Sequence, residues 1–337
     1  MSSRLFGVGV EGAVLTDAER GTLAAHPPWG VILFRRNIES PDQLRRLVED
    51  LRASGARQIF LDQEGGPVDR LRDLLAPAPS LRRSARAGKA REAGELAGAA
   101  LAALGVDVDL APVVDRGVEG AGALVLGERT ASEDPGEVIR AAEKFLEGLH
   151  RFGIGGCLKH FPGLGRARLD THRDLPVISP DPHQDALDLA PFDSLMGRAG
   201  AVMVSHAAGP DGLPASLSFA RATTLLREIL DFDGAAFSDD LEMGALDAFG
   251  TLPERAAAAA RAGCDLLFVC RRLDAYPECV EEVERSVPVS RRAEAAERLE
   301  GYARRISDLK ARATPAPAAL AEVVARTKAL AEAVGLE

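Results

Sequence analysis

A chain of 337 residues with 46% hydrophobic and 27% charged residues has the composition of a folded protein with a sizeable core, and wholesale disorder is excluded. Its 41 basic against 51 acidic residues give a net charge of −10, which repels a polyphosphate backbone, and no nucleic-acid-binding module stands out. The four cysteines lack CxxC spacing and the density of a disulfide scaffold, as expected of reduced thiols in a cytoplasmic protein.

Short apolar runs bounded by turn residues recur along the chain: LFGVGV (5–10), GVILF (30–34), QIFL (58–61), VDVDLAPV (106–113), IGGCLKHF (154–161), AVMVSH (201–206), AAFSD (235–239) and DLLFVC (265–270). Between them lie segments with helical periodicity and start signals, such as SPDQLRRLVEDLRAS from Ser40, DPGEVIRAAEKFLEGLH from Asp134 and LSFARATTLLREIL from Leu217. Near-continuous apolar strands alternating with helices indicate a parallel sheet covered on both faces, and eight repeats close a (β/α)8 barrel of the TIM type; an open doubly wound sheet is the alternative. Two Ala-rich amphipathic helices, split by Pro315 and Pro317, follow the last run. The expected organisation is a catalytic barrel over 1–287, with C-terminal helices over 288–337 packed on its outside as part of the same domain.

No membrane span is expected, because the longest stretch free of Asp, Glu, Lys and Arg (21–34) contains His26, Pro27 and Pro28, and a span needs about 20 apolar residues. The first residues, MSSRLFGVGVEG, lack the unbroken apolar region of a signal peptide.

In a barrel, chemistry sits on the loops at the carboxyl ends of the strands. Asp62-Gln63-Glu64-Gly65-Gly66 follows the third run, with Arg70 beyond it, and Asp115 and later Arg129 follow the fourth. Lys159 and His160 close the fifth, Ser205-His206 the sixth and Ser238-Asp239-Asp240 the seventh. Singly, such acids and serines are also what helix caps look like. Five polar strand ends on one face are better explained by a shared pocket. About two dozen residues rich in Gly, Pro and charge then separate the fifth run from the next helical pattern at Asp185, and loops of that length are commonly binding loops or lids. Asp170-Thr171-His172 lies in its middle. It reads either as an Asx turn beside a solvent-facing histidine or as an acid/base dyad in which Asp170 fixes and charges His172.

KHFPGLG followed by four residues and DTH (159–172) resembles the signature of the bacterial β-N-acetylglucosaminidases of glycoside hydrolase family 3. GVILFRRNI (30–38), LDQEGGPVDRL (61–71), LAPVVD (110–115), VMVSHA (202–207) and FSDDLEMGAL (237–246) resemble the same family in order and spacing. One departure is Pro67, where the family pattern usually has Arg. The resemblance implies a retaining hydrolase that removes terminal β-linked N-acetylglucosamine from peptidoglycan fragments or related glycosides. Asp239 would be the nucleophile and His172 the acid/base, assisted by Asp170. Asp62, Arg70, Arg129, Lys159 and His160 would bind the sugar, with Arg70, Arg129 and Lys159 forming a small cationic pocket. The expected partner is a small carbohydrate, a GlcNAc-containing muropeptide or chitooligosaccharide, met by a monomer without nucleic acid or membrane.

Nothing in the sequence asks for a cofactor or metal. A metal-dependent hydrolase built on His160, His172, His206, Asp62 and Asp170 would lack any paired-histidine motif. Further alternatives are a Schiff-base aldolase using Lys159, a non-catalytic sugar-binding homologue, and a phosphorylase, whose anionic acceptor a histidine acid/base would tolerate better than a carboxylate.

Overall fold

The computed structural model describes residues 2–118, 126–171, 174–316 and 320–335. Eight strands form the barrel: β1 (Phe6–Gly9), β2 (Gly30–Leu33), β3 (Gln58–Leu61), β4 (Val108–Asp109), β5 in two pieces (Gly155–Gly156 and Leu158–Phe161), β6 (Ala201–Val204), β7 (Ala235–Asp240) and β8 (Leu266–Val269). Every neighbouring pair is parallel. The first piece of β5 pairs with β4 (Val108↔Gly155) and the second with β6 (Leu158↔Val202). Both edges of the sheet are thus the same stretch of chain, and the ring closes. This is the (β/α)8 barrel expected from the alternation, not an open sheet.

The helices start where the sequence signals them. Ser40 caps α2 (Pro41–Ala53) and Asp134 caps α5 (Pro135–Arg151), each through a side chain that accepts a first-turn backbone N–H. Around them in chain order lie α1 (Asp17–Ala25), α3 (Leu81–Arg86), α4 (Ala90–Ala103), α6 (Pro182–Ala199), α7 (Ala220–Ile229, wound as a π-helix), α8 (Leu252–Ala262), α9 (Tyr276–Ser286), α10 (Val289–Ala311) and α11 (Leu320–Ala333). Among the described residues no helix is long and apolar enough to cross a membrane.

The lumen is filled from below by aromatic rings. Phe60, Phe237 and Phe268 meet edge to face with centroids 5.4 to 5.9 Å apart, and Trp29 and Tyr302 close the stack beneath them. Glycines on the facing strands make room: a Cβ on Gly7 would lie 2.4 Å from the Phe268 ring, and one on Gly30 would lie 2.5 Å from Phe60.

Tyr302 belongs to α10, one of the C-terminal helices expected to pack on the barrel's outside, and the face it packs on is the barrel's lower mouth. The helix crosses the amino-terminal ends of the strands. It reaches Asp265 before β8 through Arg291 (2.7 Å) and Arg298 (3.5 Å), Asp107 before β4 through Lys310, and the first piece of β5 through the Tyr302 hydroxyl, which donates to the Gly156 carbonyl at 2.8 Å. The amphipathic pattern identified the buried face, but its partner is the aromatic lower mouth of the barrel. The other C-terminal helix, α11, packs on α4 at the periphery. Tyr302→Phe should therefore cost about 1 to 2 kcal/mol by stripping a buried carbonyl of its donor, measurable as a lowered urea midpoint at unchanged m-value.

Candidate active site

The period of two along a strand sets which residues face the lumen above the aromatic floor. Phe60 points inward, so Asp62 two residues on does too; Phe237 carries Asp239 in the same way, and Phe268 carries Cys270. All three line a cavity of about 410 Å³ at the carboxyl end of the barrel, together with Phe34, Arg36, Glu64, Arg70, Arg129, Lys159, His160, Asp170, Asp240 and Arg271. That volume lies within the range of about 300 to 1,000 Å³ usual for small-molecule sites.

Lys159, at the end of β5, is buried and donates to Asp62 Oδ1 at 2.7 Å and to Glu64 Oε1 at 2.6 Å. Arg129 clasps Glu64 with two bonds, Nε to Oε2 at 2.8 Å and Nη2 to Oε1 at 2.9 Å, and Arg70 reaches Asp62 at 3.5 Å. The three cations expected to form a cationic pocket are thus each paired with a carboxylate, because buried charges are kept only when matched. Burial opposes the charge on Glu64, but Arg129 and Lys159 outweigh it and hold the carboxyl far below the ordinary range. Lys159 is likewise held above the ordinary amine range: burial lowers it, and Asp62 and Glu64 more than reverse that. Such a lysine stays protonated, the opposite of what a Schiff-base nucleophile needs.

His160 is oriented by Asp115, which accepts the ring Nδ1–H at 2.7 Å, the His160 backbone N–H at 3.0 Å and the Leu164 N–H at 2.6 Å. The other ring nitrogen, Nε2, lies 3.3 Å from Arg129 Nη2. A carboxylate only accepts and a guanidinium only donates, so these partners select the Nδ1–H tautomer. His206 is bound by acceptor and donor in the opposite order. Its Nε2–H donates to the Asp240 carbonyl at 2.9 Å and its Nδ1 accepts from Ser216 at 2.7 Å; burial lowers its pKa, against the pull of Asp239.

Asp239 sits at the carboxyl end of β7 with its Oδ1 accepting the Asp240 N–H at 2.8 Å. Burial alone would raise its carboxyl, but His206, His160, the Asp240 amide and Lys159 together hold it below the usual range. Its neighbour Asp240 is pushed up to about 7 by burial and by Glu242 and Asp239 close by. Two adjacent carboxyl groups are thereby tuned apart, one an ion and one only partly ionised at neutral pH.

Of the residues singled out in the sequence, Asp62, Arg70, Arg129, Lys159, His160, Asp170 and Asp239 all line this one cavity. His172 lies outside the described residues. The loop that carries it is tied across the mouth at Thr171, whose carbonyl accepts the Ala245 N–H at 3.2 Å from the segment after Asp239. Beyond the expected site residues, Glu64 and Asp115 contribute carboxylates that hold Lys159, Arg129 and His160 in place. Glu64 stood within a motif that also reads as a plain turn, and its role follows only once the ribbon Gln63–Gly65/Val68–Asp69 folds back beside Lys159. Asp115 was visible as a polar strand end, but its task of holding His160 was not. Among the described residues no three His, Cys, Asp or Glu side chains converge as a metal ion would require.

Residues 10–309 match the family described as glycosyl hydrolase family 3 N terminal domain. A protein named beta-hexosaminidase from Idiomarina loihiensis is 36% identical over 275 residues, 78% of this chain and 82% of that protein. Among solved structures, a glycoside hydrolase family 3 beta-N-acetylglucosaminidase from Paenibacillus sp. superposes with a TM-score of 0.88 at 29% identity, covering 98% of this chain and 68% of that one. NagZ from Neisseria gonorrhoeae, in complex with N-trifluoroacetyl-D-glucosamine, superposes with a TM-score of 0.81 at 28% identity, covering 98% of this chain and 97% of that one. With a family match spanning nearly the whole barrel and relatives of this similarity, the chain belongs to glycoside hydrolase family 3 and is a glycoside hydrolase.

Proposed function

We propose that the protein is a retaining β-N-acetylglucosaminidase that releases terminal non-reducing N-acetylglucosamine from peptidoglycan fragments or chitooligosaccharides. The observation that carries this reading is the Asp239 carboxylate, held ionised at the floor of a cavity whose walls present Asp62, Arg70, Arg129, Lys159 and His160. Those walls offer both donors and acceptors to sugar hydroxyls and an acetamide. The names of the relatives, beta-hexosaminidase and beta-N-acetylglucosaminidase, support the choice of sugar.

In this reading an Asp239 oxygen attacks C1 while His172 gives its proton to the departing glycosidic oxygen. The C1–O bond to the leaving group breaks as the ester to Asp239 forms. His172 then takes a proton from water, which attacks C1 and frees Asp239. A carboxylic acid in the donor's place must have its pKa raised well above about 4 to stay protonated near neutrality; an imidazole, near 6.5 unperturbed, needs less tuning, and the Asp170 carboxylate favours its charged form.

The test is hydrolysis of a chromogenic β-N-acetylglucosaminide followed by NMR of the released sugar, with and without phosphate. The expected product is the β-anomer of free N-acetylglucosamine at a rate independent of phosphate. Formation of a sugar 1-phosphate would make the enzyme a phosphorylase, and no release at all would sink the proposal.

A further inference from the structure

Inside the barrel, close to the charged cluster of the cavity, lies a carboxyl group that the reaction does not use. Asp109 ends β4 and is fully shielded from solvent. Its Oδ1 accepts the backbone N–H of Gln63 at 2.9 Å, whereas its Oδ2 is buried without a hydrogen-bond partner among the described residues. The groups whose charge it feels include Lys159 of β5 and, beyond β3, Asp62 and Glu64; Cys157 of β5 and Tyr302 of α10 feel its charge in turn. Lys159 is already engaged by Asp62 and Glu64, and no ion pair joins Asp109 to a cation among the described residues. An ionised carboxylate in that setting would be uncompensated, whereas the neutral acid is tolerable. Burial above all, with Asp62 and Glu64 adding to it, pushes the group up to about 8.

The residue that Asp109 holds is a keystone of the site. Gln63 stands between Asp62 and Glu64, the two carboxylates that grip Lys159. Its side chain accepts the N–H groups of Arg70 and Leu71, both at 3.1 Å, and donates to Asp69 at 2.8 Å. One backbone bond from Asp109 therefore fixes the segment that presents Asp62, Glu64 and Arg70 to the cavity.

We propose that Asp109 is a positioning residue carried as the uncharged acid, and that its ionisation at alkaline pH disturbs the Asp62-Gln63-Glu64 segment and weakens the hold on the sugar. The inference rests on the reading of the cavity as an N-acetylglucosamine site. It predicts that sugar affinity is linked to a proton on a residue that never touches the sugar.

Two measurements on the wild-type protein and Asp109→Asn test it, with Asp109→Ser as a second variant should Asn fold poorly. By calorimetry, the wild-type Kd for N-acetylglucosamine should weaken once pH passes about 8, approaching tenfold per pH unit, while the variant's Kd shows no such weakening between pH 8 and 9.5, whatever its value at pH 7. In infrared spectra of wild type minus variant, where the band of Asp240 common to both proteins cancels, a protonated-carboxyl C=O band should be present at pH 7 and lost on alkaline titration. Equal alkaline weakening in both proteins, or no such band at pH 7, would overturn the proposal. If N-acetylglucosamine binds at no pH, the reading of the cavity fails, and the infrared band still decides whether Asp109 is the uncharged acid.

Discussion

Asp239→Asn should lower kcat by about 10⁴-fold or more, equivalent to at least about 5 kcal/mol of lost transition-state stabilisation, while leaving the protein folded and able to bind N-acetylglucosamine. The substitution is nearly isosteric, and its amide oxygen can still accept the Asp240 N–H that the carboxylate accepts at 2.8 Å. What disappears is the charge: a neutral amide neither attacks C1 nor stabilises the oxocarbenium-like transition state. The neighbouring Asp240 is a poor substitute, because its carboxyl, raised to about 7, is only partly ionised at neutral pH and one of its oxygens accepts the Glu242 N–H at 3.1 Å. Steady-state kinetics beside calorimetric sugar binding checks this, and a variant within tenfold of the wild-type kcat would remove Asp239 from the mechanism.

Lys159→Met is expected to be the most damaging change to stability in the cavity, at about 3 to 5 kcal/mol, together with loss of measurable sugar binding. The ammonium bridges Asp62 at 2.7 Å and Glu64 at 2.6 Å, and its removal leaves two carboxylates facing each other with only Arg129 and the longer Arg70 contact to offset them. The loss has a pH signature. Because the folded pKa of Glu64 is depressed, its ion pairs contribute stability that is fully present above the unfolded value of about 4.3 and is lost as pH falls towards the folded value. Without Lys159 the carboxylates take up a proton more readily, so the gap between variant and wild type should narrow from pH 7 to pH 4. Urea unfolding at the two pH values measures it; a constant gap would mean that packing of the lysine stem, not charge, is what was lost.

How much of this was legible in the sequence follows from the range of the interactions involved. The barrel was readable because each strand is a short buried run, and Asp62, Lys159, His160 and Asp239 were readable because they stand where those runs end. Arg129 stood only as a later residue after the fourth run, and its role came from a motif resemblance; its place depends on a chain excursion after β4 that no periodicity describes. Glu64, Asp115 and Asp109 are different in kind. Each is a buried carboxyl group whose role is defined by a partner far away in sequence: Arg129 at 65 residues for Glu64, His160 at 45 for Asp115 and Gln63 at 46 for Asp109. The only local trace of Asp109 was an acid inside the apolar run VDVDLAPV, which strand patterning alone treats as a blemish. The same limit hid the position of α10, since its pattern marks a buried face without saying that Trp29 and the strand starts lie beneath it.

The central claim is that a covalent sugar ester forms on one particular carboxylate of this barrel. Incubation with a fluorinated slow N-acetylglucosaminide, followed by proteolysis and mass spectrometry of the trapped enzyme, tests it directly. The expected result is a single adduct on Asp239, absent from Asp239→Asn; an adduct on any other residue would contradict it.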